Sequence, residues 1–407
     1  MLSQLLGVAK ENDASDLHIE AGLPPALRIR GTLRTLDQPI SAKDSLEIAQ
    51  GLLTTDEWNV FLERRSFDLS RTLLGVRCRI NILQTARGVG LAVRLLASQS
   101  VTLESLNLHP DFRRLVQPSS GLLIVTGPTG SGKSSTVAAL VEELNQTEPR
   151  HILTVESPIE FIHRPRRAYL RQREVGRDTP SFDQALLDAL REDPDVIVVG
   201  EMRDPETMRL TLNAAETGHL VISTMHSSTG AEALQRMMSA FPAEIQASVR
   251  AQLADCLVGV LAQRLRYRAD LKRRVPECEL ITASHAVRAH IRNGELHKLV
   301  ACLETGAEHG MWTFARYGNW LDHRKQWFVG AGNPIEDEPP STSNPINSWS
   351  KSKSTPLTND AIPSASIPGS ATRSAAHAAS SAASGRIEIE PMDGGLDALL
   401  RDLTPKE

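Results

Sequence analysis

Residues 127–134 are Gly127, Pro128, Thr129, Gly130, Ser131, Gly132, Lys133 and Ser134, set between the apolar run 122–126 and a stretch, 135–144, with helical apolar spacing. A glycine-rich turn joining a buried strand to a helix can aim successive backbone N–H groups at a phosphate chain, and the helix adds its positive amino-terminal end. Lys133 can then reach the β- and γ-phosphates and the Ser134 hydroxyl can ligate Mg2+, with Ser135, at the start of the helix, expected among the nucleotide-binding residues. The strand and helix flanks are the context that makes such a match specific. A chain carrying it is expected to hold a nucleotide in a doubly wound α/β domain, at the carboxyl ends of parallel strands.

The surrounding sequence agrees with that class. Residues 122–126, 152–155, 196–199 and 220–224 are apolar runs of the buried parallel-sheet type, and 181–191 and 205–216 have helical spacing between them. Residues 231–303 read as further helices on the same core. The first 105 residues differ in texture: strand-like segments at 17–20, 26–30, 32–36, 67–69, 77–84 and 89–95 alternate with helical runs at 2–10 and 41–64. They predict a small α+β domain with mostly antiparallel strands. Residues 106–118 read as a linker and 119–330 as the nucleotide domain. Residues 331–407 are rich in Ser, Ala, Pro and Thr and predict a disordered tail, because so few large apolar side chains cannot offset the entropy of ordering. Within it Leu396, Leu399, Leu400 and Leu403 form a helical stripe over 393–403, read either as a frayed terminus with accidental spacing or as a docking helix for an unidentified partner.

Charge narrows the function classes. The net charge of −4 lies in the tail: residues 331–407 carry six Lys/Arg and ten Asp/Glu, which leaves 39 of each sign in residues 1–330. Nothing in that balance favours a nucleic-acid partner, and the basic groups at 164–173 and 264–274 lack interleaved aromatics. With no apolar run of 18 residues and no signal-peptide pattern at the start, the chain is expected in the cytoplasm. Cys78, Cys256, Cys278 and Cys302 are far apart and form no Cys-x-x-Cys pair, so they are expected as reduced packing residues.

A phosphate cradle alone serves many enzymes, and the discriminating residues lie downstream. Residues 195–201 (Asp-Val-Ile-Val-Val-Gly-Glu) read as a buried strand ending in a carboxylate, where Glu201 can organise Mg2+ or polarise the water that attacks the γ-phosphate. Five segments, 14–19 (Ala-Ser-Asp-Leu-His-Ile), 151–160 (His-Ile-Leu-Thr-Val-Glu-Ser-Pro-Ile-Glu), 172–175 (Gln-Arg-Glu-Val), 190–201 and 214–220 (Ala-Ala-Glu-Thr-Gly-His-Leu), then carry a family pattern. Together they closely resemble the secretion and pilus hexameric ATPases. Within that superfamily the chain is most similar to the PilT-type retraction ATPases of type IV pili, over residues 1–313.

The resemblance implies a RecA-like P-loop ATPase domain preceded by a PAS-like α+β domain, using ATP and Mg2+ in a homohexamer. It makes 127–134 the Walker A loop and Glu201 the Walker B glutamate. Glu156 and Glu160 fall in the acidic box, where a carboxylate holds the Mg2+ hydration shell; Ser134, Glu156 and Glu201 are thus the expected metal-side residues. His219 and His226 fall in the histidine box, and Arg79, Arg87 and Arg94 correspond to arginines that reach nucleotide when the small domain closes. The partners implied are an inner-membrane pilus platform protein and a paralogous retraction ATPase, with the ring peripheral at the inner membrane. Two departures stand out: Ser157 replaces an acidic-box carboxylate, and 286–292 (Ala-Val-Arg-Ala-His-Ile-Arg) only partly matches the retraction motif. A pilus-assembly or secretion ATPase, or a weakly hydrolysing accessory paralogue in a mixed ring, are the alternative readings.

Overall fold

The computed structural model describes residues 1–29, 31–96 and 101–328. The expected tail and its 393–403 helix lie outside the described residues. The amino-terminal part contains α1 (Leu2–Glu11), β1 (Ala14–Ile19), β2 (Ala26–Ile29), β3 (Thr32–Thr35), α2 (Ala42–Leu52), α3 (Thr55–Arg64), β4 (Ser66–Leu73), β5 (Val76–Thr85) and β6 (Gly88–Leu95). Its six strands form one antiparallel sheet in the order β3-β2-β1-β6-β5-β4. The helical run expected over 41–64 is two helices. Thr54 divides it: its side chain accepts from the Glu57 N–H while the Glu57 carboxylate accepts from the Thr54 N–H, a capping box that starts a new helix.

Alternation along β5 sets the two faces of this sheet. Cys78, Ile80 and Ile82 are fully buried in a core shared with Leu5, Leu17, Leu27 and Phe61. Arg77, Arg79 and Asn81 therefore point to the other face.

The second part comprises β7 (Gly121–Thr126), α4 (Lys133–Thr147), β8 (His151–Glu156), β9 (Tyr169–Glu174), α5 (Phe182–Ala189), β10 (Val196–Val199), α6 (Pro205–Glu216), β11 (Leu220–Met225), α7 (Gly230–Ser239), α8 (Ala243–Cys256), β12 (Leu257–Arg268), β13 (Arg273–Thr282), α9 (His285–Asn293), α10 (Leu299–Thr305) and α11 (Phe314–His323). Its seven-stranded sheet has the order β13-β12-β7-β11-β10-β8-β9, parallel except for the β12–β13 hairpin. Leu122 and Ile124 face one core with α5 to α10, while Leu123 and Val125 face another with α4 and α11. These are the two apolar layers of a doubly wound α/β domain.

Two sequence expectations change here. The 231–303 region is not wholly helical, because β12 and β13 form a long hairpin within it. Helix α8 ends at Cys256 and β12 begins at Leu257 with no turn between them, so the apolar pattern runs on without punctuation. The expected linker 106–118 packs into the domain core: Phe112 is fully buried, and Leu108, Leu115 and Val116 join the same cluster. Cys78, Cys256 and Cys278 are buried free thiols, as expected of packing residues, and burial pushes the Cys78 thiol up to about 11. No helix among the described residues is long and apolar enough to cross a membrane.

Candidate nucleotide site

The glycine-rich turn leaves the carboxyl end of β7, whose six residues are all buried, and enters α4 at Lys133. Gly132 takes φ 87°, a left-handed conformation that glycine adopts without strain. Gly127 is glycine for a second reason: a Cβ there would stand 2.3 Å from the Gln263 carbonyl oxygen. Lys133 Nζ donates to the carbonyls of Gly127 at 2.8 Å and Pro128 at 3.1 Å. Burial pushes the Lys133 ammonium down, and the charges of Glu201 and Glu160 partly oppose that shift.

Gln263 braces the loop from behind. Its side chain is buried on β12, where Nε2 donates to the Ser131 carbonyl at 2.6 Å and Oε1 accepts from Thr136 Oγ1 at 2.6 Å. One amide thus ties the phosphate turn to the first helical turn after it. Sequence reasoning missed this residue; the signal was an amide directly after the apolar run 257–262.

A cavity of about 590 Å³ opens beside the loop. It gathers Thr129, Gly130, Gly132, Lys133, Ser134 and Ser135 with Glu156, Ser157, Glu160, Glu201 and His226, and with Arg79 and Arg94 from the amino-terminal sheet. Residues after β7, β8, β10 and β11 all contribute, as expected for the carboxyl edge of a parallel sheet. Glu201 is ion-paired with Arg203, and its Oε2 lies 3.4 Å from His226 Nε2. The His226 Nδ1 is in turn 3.4 Å from Lys133 Nζ. Glu156 Oε1 accepts from Thr154 Oγ1 at 2.7 Å and Gln172 Nε2 at 3.3 Å, while burial pushes its carboxyl upward.

Strand pairing explains why two arginines reach this cavity. Arg28, Asp16, Arg94, Arg79 and Ser70 are successive cross-strand partners over β2, β1, β6, β5 and β4, and so share the face opposite the amino-terminal core. Asp16 Oδ1 accepts from Arg94 Nε at 2.9 Å. Burial alone would push the Asp16 carboxyl up, but hydrogen bonds from Arg94 and Ser15 hold it below its ordinary value.

The donors Ser134, Glu156 and Glu201 are all oxygen ligands lining one cavity, which suits a hard cation. Among the described residues no three His, Cys, Asp or Glu side chains cluster closely enough to hold a metal by themselves. Mg2+ is commonly bound by one or two carboxylates together with substrate phosphates and water, and the cavity offers the carboxylates of Glu156 and Glu201.

A family model described as type II/IV secretion system protein matches residues 1–311. The chain belongs to that family. The type IV pilus retractation ATPase PilT of Pseudomonas aeruginosa is 41% identical over 314 residues, covering 77% of this chain and 91% of that protein. A twitching motility protein of Neisseria gonorrhoeae is 40% identical, covering 71% and 78%. Among solved structures, that of the pilus retraction motor PilT with bound ADP is 36% identical with a TM-score of 0.71, covering 78% of this chain and 96% of that one. The resemblance read from the five motifs is borne out.

Two expected site residues of this secretion-family chain stand elsewhere. His219 precedes β11 at its amino end, with Nδ1 2.9 Å from the Ala214 carbonyl oxygen, roughly 20 Å along the strand from His226. Arg87 occupies the turn between β5 and β6, roughly 20 Å along the hairpin from Arg94, and does not line the cavity. The partly matched 286–292 segment keeps its two arginines at work: Arg288 donates to the carbonyls of Ala283, Ala254, Asp255 and Leu257, and Arg292 pairs with Asp255. The altered position, His290, pairs with Glu295 at 3.0 Å.

Proposed function

We propose that this chain is a P-loop ATP hydrolase that works as a Mg2+-dependent, homohexameric motor driving type IV pilus retraction. The observation that carries the reading is one cavity holding the phosphate loop, Glu201 with His226, and Arg79 and Arg94 of the amino-terminal sheet. The loop and Lys133 bind the phosphate chain. Glu201 accepts the proton of the attacking water, and His226 and Arg203 fix the orientation of its carboxylate. Arg79 and Arg94 stabilise the charge that builds on the transferred phosphoryl group. When bound, Mg2+ neutralises β- and γ-oxygen charge, with Ser134, Glu156 and Glu201 placed to hold it or its waters.

Because those arginines come from a different sheet from the loop, phosphate contact links the two parts of the chain, and hydrolysis releases the link. Repeated around a ring, such closure and release converts chemistry into motion. The intact set of Lys133, Ser134, Glu201 and His226 favours a hydrolysing motor over an accessory role. We place the ring on the cytoplasmic face of the inner membrane, docked on a pilus platform protein and able to work beside a paralogous retraction ATPase. Deleting the gene tests the direction of work: surplus surface pili with lost twitching supports retraction, and absent pili identifies an assembly motor.

A further inference from the structure

Arg77 of β5 and Glu174 of β9 form an ion pair with Nη2 and Oε2 2.8 Å apart, and each side chain is 7% exposed. Neither residue lines the cavity, yet both touch the segment that does. Arg77 Nε donates to the Ile159 carbonyl at 3.2 Å, and the Ile159 N–H donates to Glu174 Oε2 at 3.1 Å. Ile159 sits inside the acidic-box turn, between Glu156 and Glu160, which both line the cavity. Ser70 of β4 completes the cluster: its hydroxyl donates to Glu174 Oε2 at 2.5 Å and accepts from Arg77 Nη2.

We propose that the Arg77–Glu174 pair is a positioning lock of the closed arrangement: it holds the acidic-box turn and the amino-terminal sheet in one register while they engage nucleotide, so that Glu156, Arg79 and Arg94 act on the same phosphate, and it parts when the two separate after hydrolysis. Both backbone groups of Ile159 are engaged by the pair, so the turn cannot shift against the sheet without breaking it. Arg79 lies two residues beyond Arg77 on the same face of β5, roughly 7 Å along the strand. Arg94 is the cross-strand neighbour of Arg79. Glu174 is registered beside Glu156 across the parallel β8–β9 pair. Each member of the lock is therefore one short covalent or cross-strand step from a cavity residue.

A buried ion pair is a poor device for stability alone, since apolar side chains of similar volume hold two surfaces as firmly. What it adds is direction. The planar guanidinium fixes the angles at which carboxylate, hydroxyl and carbonyl approach, and a nucleotide site needs that angular definition because small misplacements of charged groups cost large factors in rate.

The lock rests on reading the cavity as the ATPase site, and the test separates the two. In the full chain, Arg77→Met, Glu174→Gln and the double variant are compared for ATP turnover, ADP binding in EDTA, melting temperature and hydrogen exchange at the Ile159 amide. The double variant leaves no unpaired charge, so it is expected to melt within a few degrees of wild type. Its ADP affinity in EDTA, set by the phosphate loop, is expected within about threefold of wild type. Turnover falls tenfold or more and is not restored by raising ATP, and the Ile159 amide exchanges at least tenfold faster. Turnover within twofold of wild type, unchanged exchange at Ile159, or equal losses of EDTA binding and turnover would each overturn the lock while leaving the ATPase reading in place. Should the double variant not fold, Ser70→Ala decides: a threefold or larger loss of turnover with intact ADP binding supports the lock, and no loss overturns it. Absence of hydrolysis in the wild-type chain removes the ATPase reading and the lock with it.

Discussion

His226 Nε2 stands 3.4 Å from Glu201 Oε2, and the opposite nitrogen of the same ring stands 3.4 Å from Lys133 Nζ. One imidazole thus spans the gap between Lys133, proposed to bind phosphate, and Glu201, proposed to take the water proton. Binding and chemistry are therefore separable by mutation. Glu201→Gln is expected to lower turnover by about 10²- to 10⁴-fold, the usual contribution of a positioned general base, while nucleotide affinity stays within about threefold. Lys133→Ala should instead weaken ATP binding. Parallel equilibrium binding and steady-state assays check both, and equal hydrolysis by wild type and Glu201→Gln would remove Glu201 from the mechanism.

The arginines give a sharper contrast. Arg79 and Arg94 line the cavity and Arg87 does not, although all three belong to the same hairpin. Arg79→Ala and Arg94→Ala should each lower turnover by about 10²-fold, in line with the loss of one donor to developing charge. Arg87→Ala should stay within twofold. Asp16→Asn should fall between these limits, because it loosens the grip on Arg94 without deleting it. Turnover measured on the four variants orders them, and an Arg87 effect as large as that of Arg79 would refute the assignment.

Much of this arrangement was legible in the chain because its signals are local. A strand of four buried apolar residues such as 196–199, or a glycine pattern flanked by strand and helix, can be read without knowing what lies opposite. Strand β9 was not legible: Tyr169, Arg171 and Arg173 place charge and an exposed ring on a sheet edge, where no apolar run is needed. The site divides in the same way. Lys133, Glu201 and His226 belong to recognisable motifs, whereas Gln263 acts through Ser131, 132 residues away, and Asp16, although inside the 14–19 segment, holds Arg94, 78 residues away. The sequence brackets β11 with His219 and His226, so that one of them can lie near the γ-phosphate, and the structure puts His226 in the cavity with His219 at the opposite end. Arg87 lies in the β5–β6 turn, away from the cavity.

Gln263→Leu tests the brace behind the loop. The substitution leaves the Ser131 carbonyl and the Thr136 hydroxyl without their amide partner, at a cost of about 1–3 kcal/mol for each buried group. The ATP KM is expected to rise tenfold or more and the melting temperature to fall by several degrees, with kcat at saturating ATP changed less than threefold. Gln263→Glu keeps the acceptor for Thr136 but sets a carboxylate against a carbonyl oxygen, so its binding loss should persist. A variant that melts earlier yet binds ATP normally would reduce Gln263 to a support of the fold.

Acid sensitivity should trace in part to Glu142, whose side chain on α4 is 2% exposed. Burial alone would push this carboxyl up, but hydrogen bonds from His163, Gln146 and Asn145 and the Arg166 charge outweigh it and hold it at about 2. Arg166 Nε and Gln146 Nε2 both reach Glu142 Oε1, at 3.0 and 2.7 Å, so α4 is tied to the segment that follows the acidic box. A carboxyl depressed in the folded state stabilises the fold above its unfolded value, near 4.5 here, and loses that contribution as pH falls toward about 2. Urea midpoints should therefore drop progressively from pH 5 to pH 2. Glu142→Gln should be less stable at pH 7, by about 1–3 kcal/mol because Arg166 is half exposed, and should show a shallower decline through the same window. A variant with the same slope as wild type would assign the acid sensitivity to other carboxylates and leave the helix behind the phosphate loop anchored by packing alone.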